Sequence, residues 1–407
     1  MRNNLESEKK LRILQVHNGY QIPGGEDVVA ANEKRLLEMN GHEVLSYSRN
    51  NTELKEMKPL QKLLLPFSAV YSIKTYREVK RIIREEKIDV VHVHNTLMMV
   101  SPSVFYAAFH CHVPVVQTLH NFRMLCPAGS FFRGDRICEE CAECGLQRSL
   151  KYGCYRGSKA QTFVSAAILK IHRMLGTYRK VNFICLTEFN KEKLSHLNKN
   201  GRKIVDMDKV YIKPNFTFQD DGNFESSRNL DYFLFVGRVE ALKGIDVVIK
   251  AFEQMPDQRL VVAGDGPLMG EMKEYIKTHD MKNVEFAGYL SKPQLQEKYR
   301  KARAVIMSSQ CYEAFAMTIA EAYSYGVPVI AGDIGNLRNM VEEKSTGIRF
   351  QYDSPEDLVK KVRQYNVMDI EEMKKNAKRF YENRLRPEDN YQILEKIYYD
   401  ILERDGK

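Results

Sequence analysis

The sequence predicts an α/β protein made of two doubly wound domains in series. Three observations carry that reading. Short apolar runs alternate with amphipathic segments along almost the whole chain. The alternation breaks once, in a polar stretch at residues 215–231. The 407 residues suffice for two domains of ordinary size. Continuous apolar strands separated by helices imply a parallel sheet covered on both faces.

The elements follow in order. Residues 11–16 form a short apolar strand, and Gly24-Gly25-Glu26 opens a helix that runs to about residue 40. Further strands are expected at 42–47, 88–93, 113–119, 181–186 and 210–212. Asp220-Asp221-Gly222-Asn223 and Ser226-Ser227 mark the linker. A second set of strands then reads at 232–236, 259–263, 284–286, 304–307 and 327–331. A last helix at 387–404 carries Ile393, Ile397, Tyr398, Ile401 and Leu402 on one face. Periodicity allows it to pack on the second domain or to cross back to the first. The expected domains are therefore 1–214, with a cysteine-rich insertion at about 124–157, then 215–386, then the C-terminal helix 387–407.

Composition narrows the class. The net charge of +9 is uneven: residues 1–213 carry 34 Lys/Arg against 21 Asp/Glu, and residues 214–407 carry 28 against 32. The basic excess thus belongs to the first half, where it suits an anionic partner. No apolar run reaches the length of a membrane span, and Met1 to Glu8 lacks the apolar core of a signal peptide. The expected location is the cytoplasm, at the inner face of the cell membrane. Two segments support membrane contact. Residues 60–67, and residues 159–180 with Phe163, Val164, Ile168, Leu169, Ile171, Met174 and Leu175, mix apolar and basic side chains. Such segments can lie on an anionic bilayer or can bury their apolar faces in the core.

The chemistry-bearing residues fall at strand ends. Glu313 lies on the loop after strand 304–307, and Glu321 lies about one turn into the helix that follows. Two acids there can hold sugar hydroxyls while the helix N-terminus holds a phosphate. Gly237-Arg238 ends the first strand of the second domain, and Lys243-Gly244 precedes its first helix. Arg238 can grip a diphosphate as a fork and Lys243 as a point charge. Gly264-Asp265-Gly266 ends the next strand, where glycines permit tight turns and a close ligand. In the first domain, Gly24-Gly25 offers backbone N–H groups at a helix start. Neither a dinucleotide fingerprint nor a P-loop is present, since no third glycine and no Gly-Lys-Ser/Thr follows. His120, just past strand 113–119, can touch a bound sugar or carry a proton. His17 is a similar, weaker candidate, and His92 and His94 read as structural or supporting.

Taken together, these positions resemble the retaining glycosyltransferases of family 4, the glycosyl transferases group 1, which have the GT-B fold. The matching pieces are Gly24-Gly25-Glu26, Thr118-Leu119-His120-Asn121, Lys213-Pro214-Asn215, Val236-Gly237-Arg238, Lys243-Gly244 and Gly264-Asp265-Gly266-Pro267. To these add Glu313-Ala314-Phe315 through Glu321-Ala322 and Gly326 to Ala331. The resemblance implies two Rossmann-like domains facing each other across a cleft. It implies a nucleotide-diphosphate sugar as donor, bound by Gly24, Gly25, Gly237, Gly266, Phe315, Ala316, Met317 and Glu321. Glu321 would hold the ribose and Glu313 the donor sugar. Arg238 and Lys243 would hold and neutralise the leaving diphosphate, and His120 would position the sugar. No catalytic metal is expected. The acceptor would be a glycan or lipid-linked glycan of cell-surface polysaccharide synthesis. Where the family usually has Glu-Gly-Phe-Gly, this chain has Glu313-Ala314-Phe315-Ala316, whose methyl groups could crowd a phosphate. Where the family often has two adjacent glycines, Asn336 follows Gly335.

Five of the eight cysteines lie between Cys126 and Cys154. Residues 131–137 read as a hairpin with its turn at Gly134, followed by a Cys-x-x-Cys knuckle. Four thiolates suit a structural zinc. A subset of family 4 resembles this segment, and the resemblance implies Cys126, Cys138, Cys141 and Cys154 as ligands with Cys144 spare. Two enzyme alternatives share the architecture, a glycan phosphorylase and a sugar-nucleotide epimerase. A nucleic-acid binder built on the basic half and the knuckle is a different class; it leaves both glutamates and the glycine-rich edges unexplained, so no nucleic-acid partner is expected.

Overall fold

A computed structural model describes residues 10–20, 24–199, 201–219 and 232–406. The N-terminal octapeptide and the linker markers Asp220 to Ser227 lie outside the described residues. The chain divides into two compact units. One holds Met1–Gly129, Glu139–Pro214 and Asn390–Lys407; the other holds Ser130–Cys138 and Asn215–Asp389.

Strands β1 (Arg12–Gly19), β2 (Glu43–Asn50), β3 (Val90–Val93) and β4 (Val115–Leu119) come first. The hairpin β5 (Phe132–Arg133) and β6 (Arg136–Ile137) follows, then β7 (Asn182–Cys185) and β8 (Val210–Ile212). The first unit's sheet runs β2-β1-β3-β4-β7-β8, all parallel, with Ile13 opposite Val90 and Leu14 opposite Leu45. Its central strands are buried on both faces, which is why they read as unbroken apolar runs. The C-terminal helix Pro387–Arg404 belongs to this unit from Asn390 onward. Leu394, Ile397, Tyr398, Ile401 and Leu402 share one apolar cluster with Leu11, Ile13, Val44, Val90, Val116 and Ile184.

The second unit contributes β9 (Tyr232–Val236), β10 (Leu260–Ala263), β11 (Val284–Gly288), β12 (Ala302–Met307), β13 (Val329–Gly332) and β14 (Gly347–Phe350). They form a parallel sheet in the order β11-β10-β9-β12-β13-β14. Strand β14 was not expected: it has four residues, opens on glycine and carries the partly exposed Arg349. The glycine is required, because a Cβ at Gly347 would sit 1.9 Å from the Val329 carbonyl oxygen.

The cysteine-rich insertion, expected whole within the first domain, is divided. Its hairpin turns at Gly134 but clusters with the second unit. The physical reason is Phe131, which is fully buried with its ring 5.9 Å from that of Tyr312.

Candidate functional site

In the second unit the strand order reverses between β9 and β12. That switch point, beyond the carboxyl ends of the strands, is where doubly wound sheets bind ligands. Gly237 and Arg238 leave β9 there, and Ser308 to Glu313 leave β12. Lys243 Nζ lies 2.6 Å from Glu313 Oε1, and Ser309 Oγ donates to the same oxygen at 2.6 Å. Burial alone would lower the Lys243 pKa, but Glu313 outweighs it and raises it. Arg238 is the more open cation, 55% exposed, with Glu240 at 3.4 Å. The chain thus brings Lys243 and Glu313 together and leaves the Arg238 fork facing solvent.

Glu321 sits one turn into the helix Met317–Ser324. It accepts from the hydroxyl of Tyr299 at 2.8 Å, and burial raises its carboxyl against that bond. Tyr299 in turn stacks on Tyr325 with ring centroids 5.6 Å apart. Ala316 precedes the helix as its cap residue, and no side chain caps the helix. Its first N–H groups are therefore available to an anion. The methyl groups of Ala314 and Ala316 are both buried, Ala316 within the apolar cluster of Ile319 and Tyr323. The Ala316 methyl thus packs in the core. Phe315 and Met317 flank this start half-buried.

The glycines here serve different ends. A Cβ at Gly266 would lie 2.4 Å from the Val239 carbonyl oxygen, and one at Gly264 would lie 1.8 Å from that of Gly237. Both are required by backbone packed on backbone, not by room for a ligand. Gly237 itself meets only the Phe235 ring, at 3.9 Å.

In the first unit the order changes direction between β1 and β3, so His17, His94 and Asn95 lie at its switch point. Gly24 precedes the helix Gly25–Met39, and its N–H donates to Asp27 Oδ2 at 2.8 Å. Asp27 also meets His17 Nε2 at 2.8 Å. One donor of this helix start is thus already engaged by the chain's own carboxylate. Beside it Glu26, 8% exposed, accepts from Tyr20 at 2.9 Å. Burial pushes its carboxyl up to about 7, and its Oε1 has no hydrogen-bond partner among the described residues.

His120 is joined to a buried relay. Its Nε2 lies 2.9 Å from His94 Nδ1, and the rings stack at 5.2 Å. His94 stacks on His92 at 4.6 Å. Glu33 Oε1 lies 3.0 Å from His92 Nδ1 and 3.3 Å from His94 Nε2, while Glu33 Oε2 lies 2.9 Å from Lys213 Nζ. Glu33 and Lys213 are wholly buried. Burial pushes Glu33 up, but Lys213 and the histidines outweigh it and hold it well below the carboxylate range. Burial lowers His120 well below the ordinary imidazole value. At neutral pH it is therefore an uncharged hydrogen-bonding group, not a cation. His94 and His120 line a cavity of about 60 Å³ with Asn95, Asn121 and Arg123.

Sequence reasoning missed Glu33, Tyr299 and Ser309, and gave Glu26 and Lys213 no role. Glu33 did leave a signal: it falls on the apolar stripe Val29, Ala30, Leu36 and Leu37 of its helix. Among the described residues, Glu33, His92 and His94 are the one group of three metal-ligand types within 4.8 Å. Lys213 already supplies the cation that Glu33 needs, so these residues do not fit a metal.

The cysteines converge only in part. Burial, reinforced by Cys126 and Cys154, pushes the Cys141 thiol up to about 12. No three of these sulfurs come within 4.8 Å among the described residues, and Cys138 belongs with the hairpin to the second unit. The four ligands implied by the resemblance are thus shared between the units, Cys126, Cys141 and Cys154 in the first and Cys138 in the second.

Both halves match known glycosyltransferase families. Residues 23–201 match Glycosyltransferase Family 4, and residues 219–384 match Glycosyl transferases group 1. An uncharacterized glycosyltransferase of Methanocaldococcus jannaschii is 23% identical over 361 residues, 84% of this chain and 80% of its own. An uncharacterized 41.2 kDa protein in the cps region of Klebsiella pneumoniae is 21% identical over 397 residues, 94% of this chain and 98% of its own. The structure of Anabaena HepE in complex with UDP aligns with a TM-score of 0.64 at 17% identity, covering 95% of this chain and 99% of that one. That likeness shows the fold, GT-B.

Proposed function

Since the chain is a glycosyltransferase of the GT-B fold, we propose that it moves a sugar, with retention at the anomeric carbon, from a nucleotide-diphosphate sugar to a glycan or lipid-linked glycan. The carrying observation is the second unit's switch point, where Lys243 and Glu313 meet at 2.6 Å beside an uncapped helix start, with Glu321 one turn in. This set has one use for each part of such a donor. Glu321 accepts from the ribose hydroxyls, its second oxygen steadied by Tyr299. The helix N–H groups and Arg238 take the diphosphate. Glu313 takes a sugar hydroxyl, and Lys243 shifts toward the leaving oxygen as charge develops there. HepE's complex with UDP supports a uridine nucleotide as the first to try.

In the reaction the acceptor hydroxyl oxygen bonds to the anomeric carbon on the face the diphosphate leaves. The carbon–oxygen bond to the diphosphate breaks with its electron pair, and the hydroxyl proton passes to that diphosphate. Arg238 and Lys243 supply the positive charge, and no step requires a metal. The Klebsiella relative's place in a cps region supports an acceptor of cell-surface polysaccharide synthesis. Proton NMR of the newly formed linkage tests the reaction: the donor's anomeric configuration must persist, and inversion refutes the proposal.

Membrane contact is part of the same proposal. Leu60, Leu63, Leu64 and Phe67 are 52 to 73% exposed, and only Ala69 is buried in the helix Pro59–Val70. The exposed Lys58 and Lys62 flank them. No described helix is long and apolar enough to cross a membrane. An exposed apolar and basic helix supports lying on an anionic bilayer.

A further inference from the structure

We propose that a groove on the first unit seats one phosphate-bearing amphiphile, its apolar tail along the wall and its phosphate at a basic rim. The groove holds about 810 Å³. Leu146, Leu150, Phe163, Ile171, Met174 and Ile204 form the apolar wall. Phe163 is 61% exposed and Met174 76%, so this wall lacks a covering element among the described residues. Lys170, Arg173, Arg202 and Lys203 form the rim, and no carboxylate lines the groove among the described residues.

Arg173 makes this more than a solvated basic surface. Burial lowers its pKa, and the neighbouring Arg202 lowers it further. Its Nε has no partner among the described residues, and one terminal nitrogen donates to the Met124 carbonyl. A half-buried guanidinium whose Nε is buried, beside an exposed second one and with no acid pairing them among the described residues, favours an anion. An inorganic anion would leave the apolar wall bare, and a neutral lipid would leave the cations unpaired. A lipid phosphate satisfies both.

The groove also adjoins the first unit's cavity. The helix Lys159–Met174 shows Ser165, Ile168 and Leu169 to the cavity of His94 and His120. It shows Phe163, Lys170, Ile171 and Met174 to the groove. One helix thus separates the groove from the cavity that those histidines line. Reading it as the anchor of a lipid-linked acceptor rests on the proposed transfer; the groove's affinity does not.

The test is calorimetric titration of the full chain with dodecyl phosphate below its micelle concentration. Dodecyl maltoside, inorganic phosphate and phosphatidylglycerol vesicles run in parallel. Dodecyl phosphate should bind about one per chain, about 10-fold or more tighter than dodecyl maltoside, and inorganic phosphate far more weakly. Arg202→Gln/Lys203→Gln, at two exposed positions, should erase the preference for phosphate. Phe163→Ser should weaken both alkyl ligands about 5-fold or more. Equal affinity for both alkyl ligands, an unchanged preference in the double variant, or binding to vesicles alone would overturn the proposal. A UDP titration of the same protein separates the two readings. Dodecyl phosphate binding without any nucleotide binding keeps the groove and removes its acceptor role.

Discussion

Replacing Glu26 by Gln should stabilise the protein, and only at the alkaline end. Glu26 is 8% exposed, and burial lifts its carboxyl from 4.5 to about 7. Such a displacement is worth about 3 kcal/mol. Because the folded state favours the protonated form, that contribution is fully present below pH 4.5. It is lost as the pH rises through 7, where a buried carboxyl must ionise. Glutamine has no such loss. Its oxygen can still accept from Tyr20, and its nitrogen replaces an Oε1 that has no partner among the described residues, at a cost of about 1 kcal/mol. The variant should therefore match or slightly trail the parent at pH 5 and exceed it by about 2 kcal/mol at pH 8.5. For a unit of this size that is roughly 4–8 °C in Tm. Thermal unfolding of both proteins at half-unit pH steps measures the gap. A gap that stays constant, or narrows as the pH rises, means that Glu26 is already ionised in the fold and refutes the reasoning.

Other perturbations reach other parts. Glu33→Gln leaves Lys213 buried beside uncharged neighbours and should cost about 3–5 kcal/mol in urea unfolding. Glu33→Gln/Lys213→Met should recover much of that loss, and equal losses in both would show that the pair is not coupled. Leu63→Glu/Phe67→Glu should abolish sedimentation with anionic vesicles while leaving Tm within a few degrees; unchanged sedimentation removes the helix Pro59–Val70 from the membrane proposal. Elemental analysis of the purified chain should find about one zinc, held by the four cysteines that the resemblance implies, Cys126, Cys138, Cys141 and Cys154. A metal-free folded protein would leave them as ordinary thiols.

The sheets were legible because their central strands are buried on both faces, which writes apolar runs into the sequence. Strand β14 escaped for the opposite reason, since Gly347 and Arg349 interrupt its run. The switch-point residues of the second unit were legible as glycines and charges at strand ends. Their partners were not. Tyr299 reaches Glu321 from a helix 22 residues upstream, and tyrosine on an apolar face reads as core. Lys213 reaches Glu33 across most of the first unit, a pairing that only the sheet order creates. Gly264 and Gly266 were read as room for a ligand and are filled by backbone, a distinction that spacing does not encode. The C-terminal helix carried its apolar stripe openly, but periodicity says that a face is buried and not against what.

The central claim is that the second unit's switch point holds a nucleotide-diphosphate sugar. Calorimetric titration of the wild-type chain and Glu321→Ala with UDP, GDP and ADP tests it most directly. The wild type should bind at least one of them, and Glu321→Ala should bind the same nucleotide about 10-fold or more weakly, with its Tm otherwise preserved. A wild type that binds none, or a variant with unchanged affinity, would contradict it.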